Sequence, residues 1–209
     1  MWRIIAGLAL ALATSACALT TDSIDVPYQR DTTQNPAVVS GAAGSNFDIA
    51  AIEGRTTYRD RVSTKKNGYG IEMAAIVATN DIPQAVGDAI KQELVTRGFT
   101  FGAGQSHISI EIVRFYNDFK NGFFSGDAVA DVAFNIKVSK LDSTVVLSKY
   151  YAGSGTEPNI QIAGATNARL ALIIAFRNAV NSVVSDPDFV NAIVAAQQHP
   201  TPSTSRPTS

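Results

Sequence analysis

The sequence predicts an α+β fold: a two-layer sandwich in which helices cover one face of a mainly antiparallel sheet, in the order strand, helix, three-strand meander, helix. Three observations predict it. Apolar residues recur at helical spacing in two segments, around 80–97 and 164–184. Three segments between 107 and 153 alternate apolar and polar residues. A Leu141-Asp142-Ser143 turn joins the last two of these as a hairpin. The length of 209 residues suits one domain with tails, since domains typically run about 100–150 residues.

"NFDIAAIEG" (46–54) is a short apolar strand that stops at Gly54, and "RTTYRDRVSTKKNG" (55–68) is a charged connection to a second apolar run, "IEMAAIVA" (71–78). A helix follows. Asn80 or Asp81 caps it, Pro83 occupies its first turn, and Ile82, Val86, Ala89, Ile90 and Leu94 form its apolar stripe. Gly98 closes it with left-handed geometry. "HISIEIVRF" places Ile108, Ile110 and Ile112 on one face, and "ADVAFNIKVSK" turns Val132, Phe134, Ile136 and Val138 inward. "TVVLSKYYAG" completes the meander, and the alternation implies one wet and one covered face. The cover is the last long helix, with Leu172, Ile173, Phe176, Val180 and Val183 on its stripe. A short helix anchored by Phe189 and Ile193 ends the domain.

The flanks read differently. Residues 1–16 have a short basic n-region, an apolar stretch and small residues before Cys17, the layout of a cleaved signal peptide. The greasy run is too short to span a bilayer, which takes about 20 apolar residues. "LALALATSAC" (8–17) resembles a bacterial lipobox, although Thr14 stands where leucine is usual. That resemblance implies cleavage between Ala16 and Cys17 and lipidation of the Cys17 thiol. Two or more acyl chains make a stable anchor where one does not. Ala18 is not the aspartate associated with inner-membrane retention, so the same resemblance implies the periplasmic face of the outer membrane. Residues 17–44 are rich in Thr, Asp, Pro and Gly. They read as a lipidated N-terminus and flexible tether whose 27 or so residues span about 30 Å. The 45–197 segment is the domain, and 198–209 is a disordered Pro/Ser/Thr tail.

Composition narrows the function. A net charge of −1 gives no basic balance to invite nucleic acid. A single cysteine excludes an internal disulfide, and two histidines leave little for a histidine-built metal site. "GAGQ" (102–105) lacks the length and lysine of a phosphate loop, and no G-x-S-x-G elbow occurs. Glu53, Asp60 and Glu72 are not spaced to converge. No catalytic residue, metal or cofactor is therefore expected, apart from the acyl and diacylglycerol lipid, palmitate included, on Cys17. Two stretches are candidate partner contacts. "GRTTYRDRVSTKK" gathers Arg55, Arg59, Arg61, Lys65 and Lys66 and suits an anionic partner. "FYNDFKNGFFSGD" gathers aromatics including Phe123 and Phe124 and suits a protein or membrane interface.

The region 47–196 resembles the YajG family of bacterial lipoproteins. "AIKQELVTRGF", "ISIEIVRFYNDF", "DVAFNIKV" and "NARLALIIAFRNAVNSVVSD" carry the resemblance in their joint order. It implies a non-enzymatic, lipid-anchored envelope protein that binds another envelope protein or peptidoglycan, as an accessory to transport or assembly. An envelope glycan hydrolase working through carboxylates and a lipid-carrying module are the alternatives.

Overall fold

The computed structural model describes residues 19–33, 36–122 and 125–197. The signal segment and the 198–209 tail lie outside them. In chain order the elements are β1 (Asp22–Ile24), β2 (Asn46–Glu53), β3 (Ser63–Lys66), β4 (Glu72–Ala78), α1 (Ile82–Thr96), β5 (Thr100–Phe101), β6 (Ser106–Asn121), β7 (Gly126–Lys140), β8 (Val145–Ile160), α2 (Ala165–Val184) and α3 (Pro187–Ala196).

The α+β layering is as predicted, but the sheet is mixed rather than mainly antiparallel. Of seven strand pairings among the described residues, β1–β4, β2–β5, β2–β6 and β3–β6 are parallel. Alternation reports which face is covered and says nothing of a neighbour's direction. The chain leaves β2 and returns to it as β6 only after crossing through α1, and a crossover of that length makes a parallel pair.

The antiparallel pairs are β3–β4 and those of the predicted β6–β7–β8 meander, whose strands have 16, 15 and 16 residues. β6 outruns the sequence reading because of a bulge. Ile112 pairs with Phe134 and Arg114 with Ala133, so Val113 is inserted between them. The insertion resets the alternation. Phe115, Asn117 and Phe119 then continue the inward face begun by Ile108, Ile110 and Ile112, and are buried. The predicted aromatic loop is thus strand up to Asn121.

Helix chemistry matches expectation closely. The Asp81 carboxylate caps α1 by accepting from the Gln84 N–H at 2.8 Å, and Gly98 ends it at φ +97°. All five residues of the α1 stripe and all five of the α2 stripe are buried, and the three helices share one core with the sheet.

The flexible tether is corrected. Its described part is folded onto the domain from β1 onward. Val26 is fully buried, its backbone N–H donates to Asn80 Oδ1 at 3.0 Å, and Tyr28 packs edge-on against Phe176 with centroids 5.5 Å apart. Ala42 is buried as well. The segment's polar composition concealed "SIDVPY", whose Ile24, Val26 and Tyr28 alternate for too few residues to register as a period.

Candidate partner-binding groove

The basic stretch folds into a loop built around its first cation. The Glu111 side chain lies over Gly54, where a Cβ would stand 2.3 Å from Glu111 Cγ and would have to displace it. The next residue, Arg55, is buried at 6% exposure rather than displayed. Its guanidinium grips Glu53 bidentately (Nε to Oε1 2.9 Å, Nη2 to Oε2 2.6 Å) and donates through Nη1 to the carbonyls of Arg61 and Phe115, each at 3.1 Å. Burial pushes the Glu53 carboxyl up, but the hydrogen bonds and charge of Arg55 outweigh it and hold Glu53 below its ordinary range. Tyr58 stacks on Tyr116 at 4.3 Å and presses the loop onto the sheet's outer face.

The remaining cations are also committed. Arg61 pairs with Asp60 (2.8 Å), Lys65 with Asp22 (2.8 Å) and Lys66 with Asp118 (2.5 Å). Arg59 alone of the five forms no salt bridge among the described residues. The structure therefore brings Arg55, Arg59 and Arg61 together at the end of β2, and spreads Lys65 and Lys66 along β3. Phe123 and Phe124, like Ala16 and Cys17, lie outside the described residues.

A different feature stands out beside this loop. β2 pairs with β6 along one edge from Phe47 to Glu53, while β5 meets its other edge only at Asn46 and Phe47. From Asp48 to Glu53 that second edge has no strand partner among the described residues. The Gly54 N–H donates to Ile112 of β6, whereas the Phe47 carbonyl accepts from Gly102 on the opposite side. With the alternation of a strand, even-numbered positions face β6, and the N–H and C=O groups of Ile49, Ala51 and Glu53 face outward.

A groove of about 400 Å³ runs along this open edge. Ile49, Ala51 and Gly87 form its floor, and Pro83, Gln84, Asp88 and Lys91 of α1 form its far wall. Those α1 positions recur at helical spacing, so one continuous face of the helix borders the edge. Phe101 closes one end at 48% exposure, braced edge-on by Phe47 with Lys91 Nζ 5.0 Å above its ring. Ile52, on the neighbouring outer face, is 57% exposed.

Open edges template the addition of another chain, and proteins protect them with Lys, Pro or a covering element. The free edge of β8 is protected in this way. It carries Pro158, and Lys149 ties it to Asp186 (2.8 Å) and Asp188 (3.0 Å) at the start of α3. The exposed β2 segment, "DIAAIE", has neither lysine nor proline. The signal was in the sequence, in a strand without edge protection and a glycine inside a helix, but neither names an edge until the pairing is known.

A family model described as "uncharacterized lipoprotein" matches residues 33–194 of the chain. Among solved structures, a Xanthomonas campestris protein of the DUF330 family is similar. It shares 12% identity and a TM-score of 0.52, over 85% of this chain and 98% of that one. A minor lipoprotein from Acinetobacter baumannii is also similar, with 5% identity and a TM-score of 0.43, over 70% of this chain and 92% of its own. The first of these likenesses supports the fold alone. A comparison with curated proteins gives no sequence match.

Proposed function

We propose that this chain, which belongs to the uncharacterized lipoprotein family matched over residues 33–194, is a lipid-anchored, non-enzymatic envelope protein whose domain takes up an extended segment of another envelope protein along the open edge of β2. The unpaired, unprotected edge beside the α1 groove carries this reading. Main-chain groups at Ile49, Ala51 and Glu53 supply affinity in β-strand addition, and side-chain pockets such as the one under Phe101 supply selectivity. A protein segment suits such a ladder better than peptidoglycan, because the edge pairs with a continuous peptide backbone.

The finer address rests on the N-terminal sequence. Cleavage before Cys17, acylation of its thiol, and Ala18 in the following position support the periplasmic face of the outer membrane. The motif order in 47–196 supports the YajG family as the particular branch. Among the described residues no single helix is long and apolar enough to cross a membrane.

Four carboxylates of the domain are held in the ionised form, which suits ion pairing and capping rather than proton donation. A glycosidase needs one carboxyl held protonated opposite another. Hydrogen bonds from Thr33, Arg61 and Thr144 hold Asp31, Asp60 and Asp142 below the ordinary range. Asp186 is pushed up by burial but pulled below that range by Lys149 and Tyr151. A lipid carrier needs an apolar cavity between sheet and helices, and Phe115, Phe134 and Phe176, all fully buried, fill that space.

Ala51→Pro tests the proposal. The substitution removes one N–H that faces away from β6, a place where an edge strand tolerates proline. The expected result is a thermal midpoint close to wild type, together with a tenfold or greater loss, about 1.4 kcal/mol, of the protein cross-linked to the chain in its native envelope. Unchanged cross-linking at unchanged stability would remove the edge as the site.

A further inference from the structure

The root of the lipid anchor and several of the domain's exposed apolar side chains, Tyr69 the most exposed among them, come to one end of the molecule. β1 runs parallel to β4, with Asp22 opposite Ile76, so the chain preceding Asp22 arrives from the β3–β4 turn. Lys65 Nζ of β3, paired with Asp22, also donates to the Thr20 carbonyl at 2.9 Å and, reaching across β4, holds the arriving chain against that end of the sheet. In that turn Tyr69 is 92% and Ile71 60% exposed. Asn67 shapes the turn by accepting the backbone N–H groups of Tyr69 and Ile71 at its side-chain oxygen, each at 3.0 Å.

The β8–α2 connection comes to the same end. Lys66 bridges to Ala163 and pairs with Asp118 near the end of β6, and Ile162 beside it is 74% exposed. Leu19, at 65% exposure, marks where the described chain begins. Four isolated apolar side chains on a monomer surface are ordinary. Four on one tip, at the root of the anchor, mark an interaction surface.

Chain length identifies the occupant. Cys17 lies two residues before Leu19, and a fully extended chain covers at most about 3.3–3.6 Å per residue. A lipidated Cys17 would therefore stand within about 7 Å of Leu19. With β1 held in the sheet, the domain has no tether on which to stand away from the bilayer.

We infer that this end of the domain is seated on the membrane surface, with Tyr69, Ile71 and Ile162 entering the headgroup region. The inference rests on the lipidation of Cys17. Tyrosine suits the position, since its ring is apolar and its hydroxyl stays wet. Seating fixes the orientation of the rest: the Leu141 hairpin at the other end of the meander, about 45 Å away along a 15-residue strand, points away from the bilayer.

A tryptophan reporter tests this. The only native tryptophan, Trp2, is lost with the signal segment, so the mature Tyr69→Trp chain carries one. The full lipidated variant is placed in vesicles of phosphatidylethanolamine with a minority of phosphatidylglycerol, including lipids brominated high on their acyl chains. The inference predicts roughly twofold quenching of the Tyr69→Trp reporter, as expected for side chains buried about 5–10 Å into the interface, and none of a Leu141→Trp reporter. Vesicle-bound protein with neither reporter quenched, or with both quenched equally, overturns the seating and leaves the anchor standing. Protein that does not float with the vesicles and lacks the mass of acyl chains removes the anchor, and the seating with it.

Discussion

Gly155→Val and Gly153→Val are each expected to lower the thermal midpoint by about 10 °C or more. Both glycines lie where β8 passes directly under α2. A Cβ at position 155 would stand 2.3 Å from the Ala171 carbonyl oxygen and 2.4 Å from the Ala175 nitrogen; one at 153 would stand 2.1 Å from the Ala179 nitrogen. The nearest atoms belong to the helix backbone, so no rotamer change relieves the clash. The helix meets the strand with a matching stripe of small residues, Ala168, Ala171, Ala175 and Ala179, all fully buried. Asn178 Nδ2 donates to the Ser154 carbonyl at 2.8 Å and locks the approach. Inserting bulk here must lift α2 off the meander, which opens the core around Phe134 and Phe176. Overpacking typically costs about 1–3 kcal/mol, and a backbone clash belongs at or above the top of that range. In a domain of this size each kcal/mol moves the midpoint by roughly 2–4 °C. Circular dichroism melting checks the value, with Ala152→Val as the control, because residue 152 faces solvent on the same strand. An unchanged midpoint for Gly155→Val would mean that helix and strand are farther apart than described.

Cys17→Ala is expected to move essentially all of the protein from membrane to soluble fractions. Each buried methylene contributes about 0.8 kcal/mol, so two or more acyl chains hold a protein where a single chain holds it only marginally. The tip residues Tyr69, Ile71 and Ile162 orient the domain but present too little apolar surface to replace those chains. Flotation on a density gradient reads the outcome, and a Cys17→Ala chain that still floats with membranes would contradict lipid anchoring.

Legibility in the sequence followed the range over which a signal acts. Caps and stripes act within one helix, and a cap at Asn80 or Asp81, Gly98 and the two buried stripes were readable without a fold; the structure chooses Asp81. The meander was readable because Ile108, Ile110 and Ile112 alternate against Val132, Phe134, Ile136 and Val138. Its extent was not. The inserted Val113 shifts the phase, and Phe115 and Phe119 read as loop aromatics until the pairing with β7 shows the bulge. Strand direction was illegible for a related reason: the crossover through α1, rather than any residue in β2 or β6, makes that pair parallel.

The candidate site divided in the same way. Counting cations singled out Arg55, but a count cannot distinguish a displayed guanidinium from one buried against Glu53 and two carbonyls. The open edge of β2 is a property of what is missing beside it, and only the full set of pairings reveals that. The short alternation of Ile24, Val26 and Tyr28 was hidden by its polar surroundings, and with it the fact that the N-terminal segment is part of the domain.

Site-specific photo-cross-linking in the native envelope tests most directly whether a partner strand completes the sheet. A photoreactive residue in place of Phe101, at the mouth of the groove, is predicted to give a discrete protein adduct whose yield falls about tenfold when Ala51→Pro is added. The same probe in place of Leu141, on the hairpin at the same end of the sheet but across β2 and β6 from β5, is predicted to give none. No adduct from position 101, or the same adduct from both positions, would contradict it.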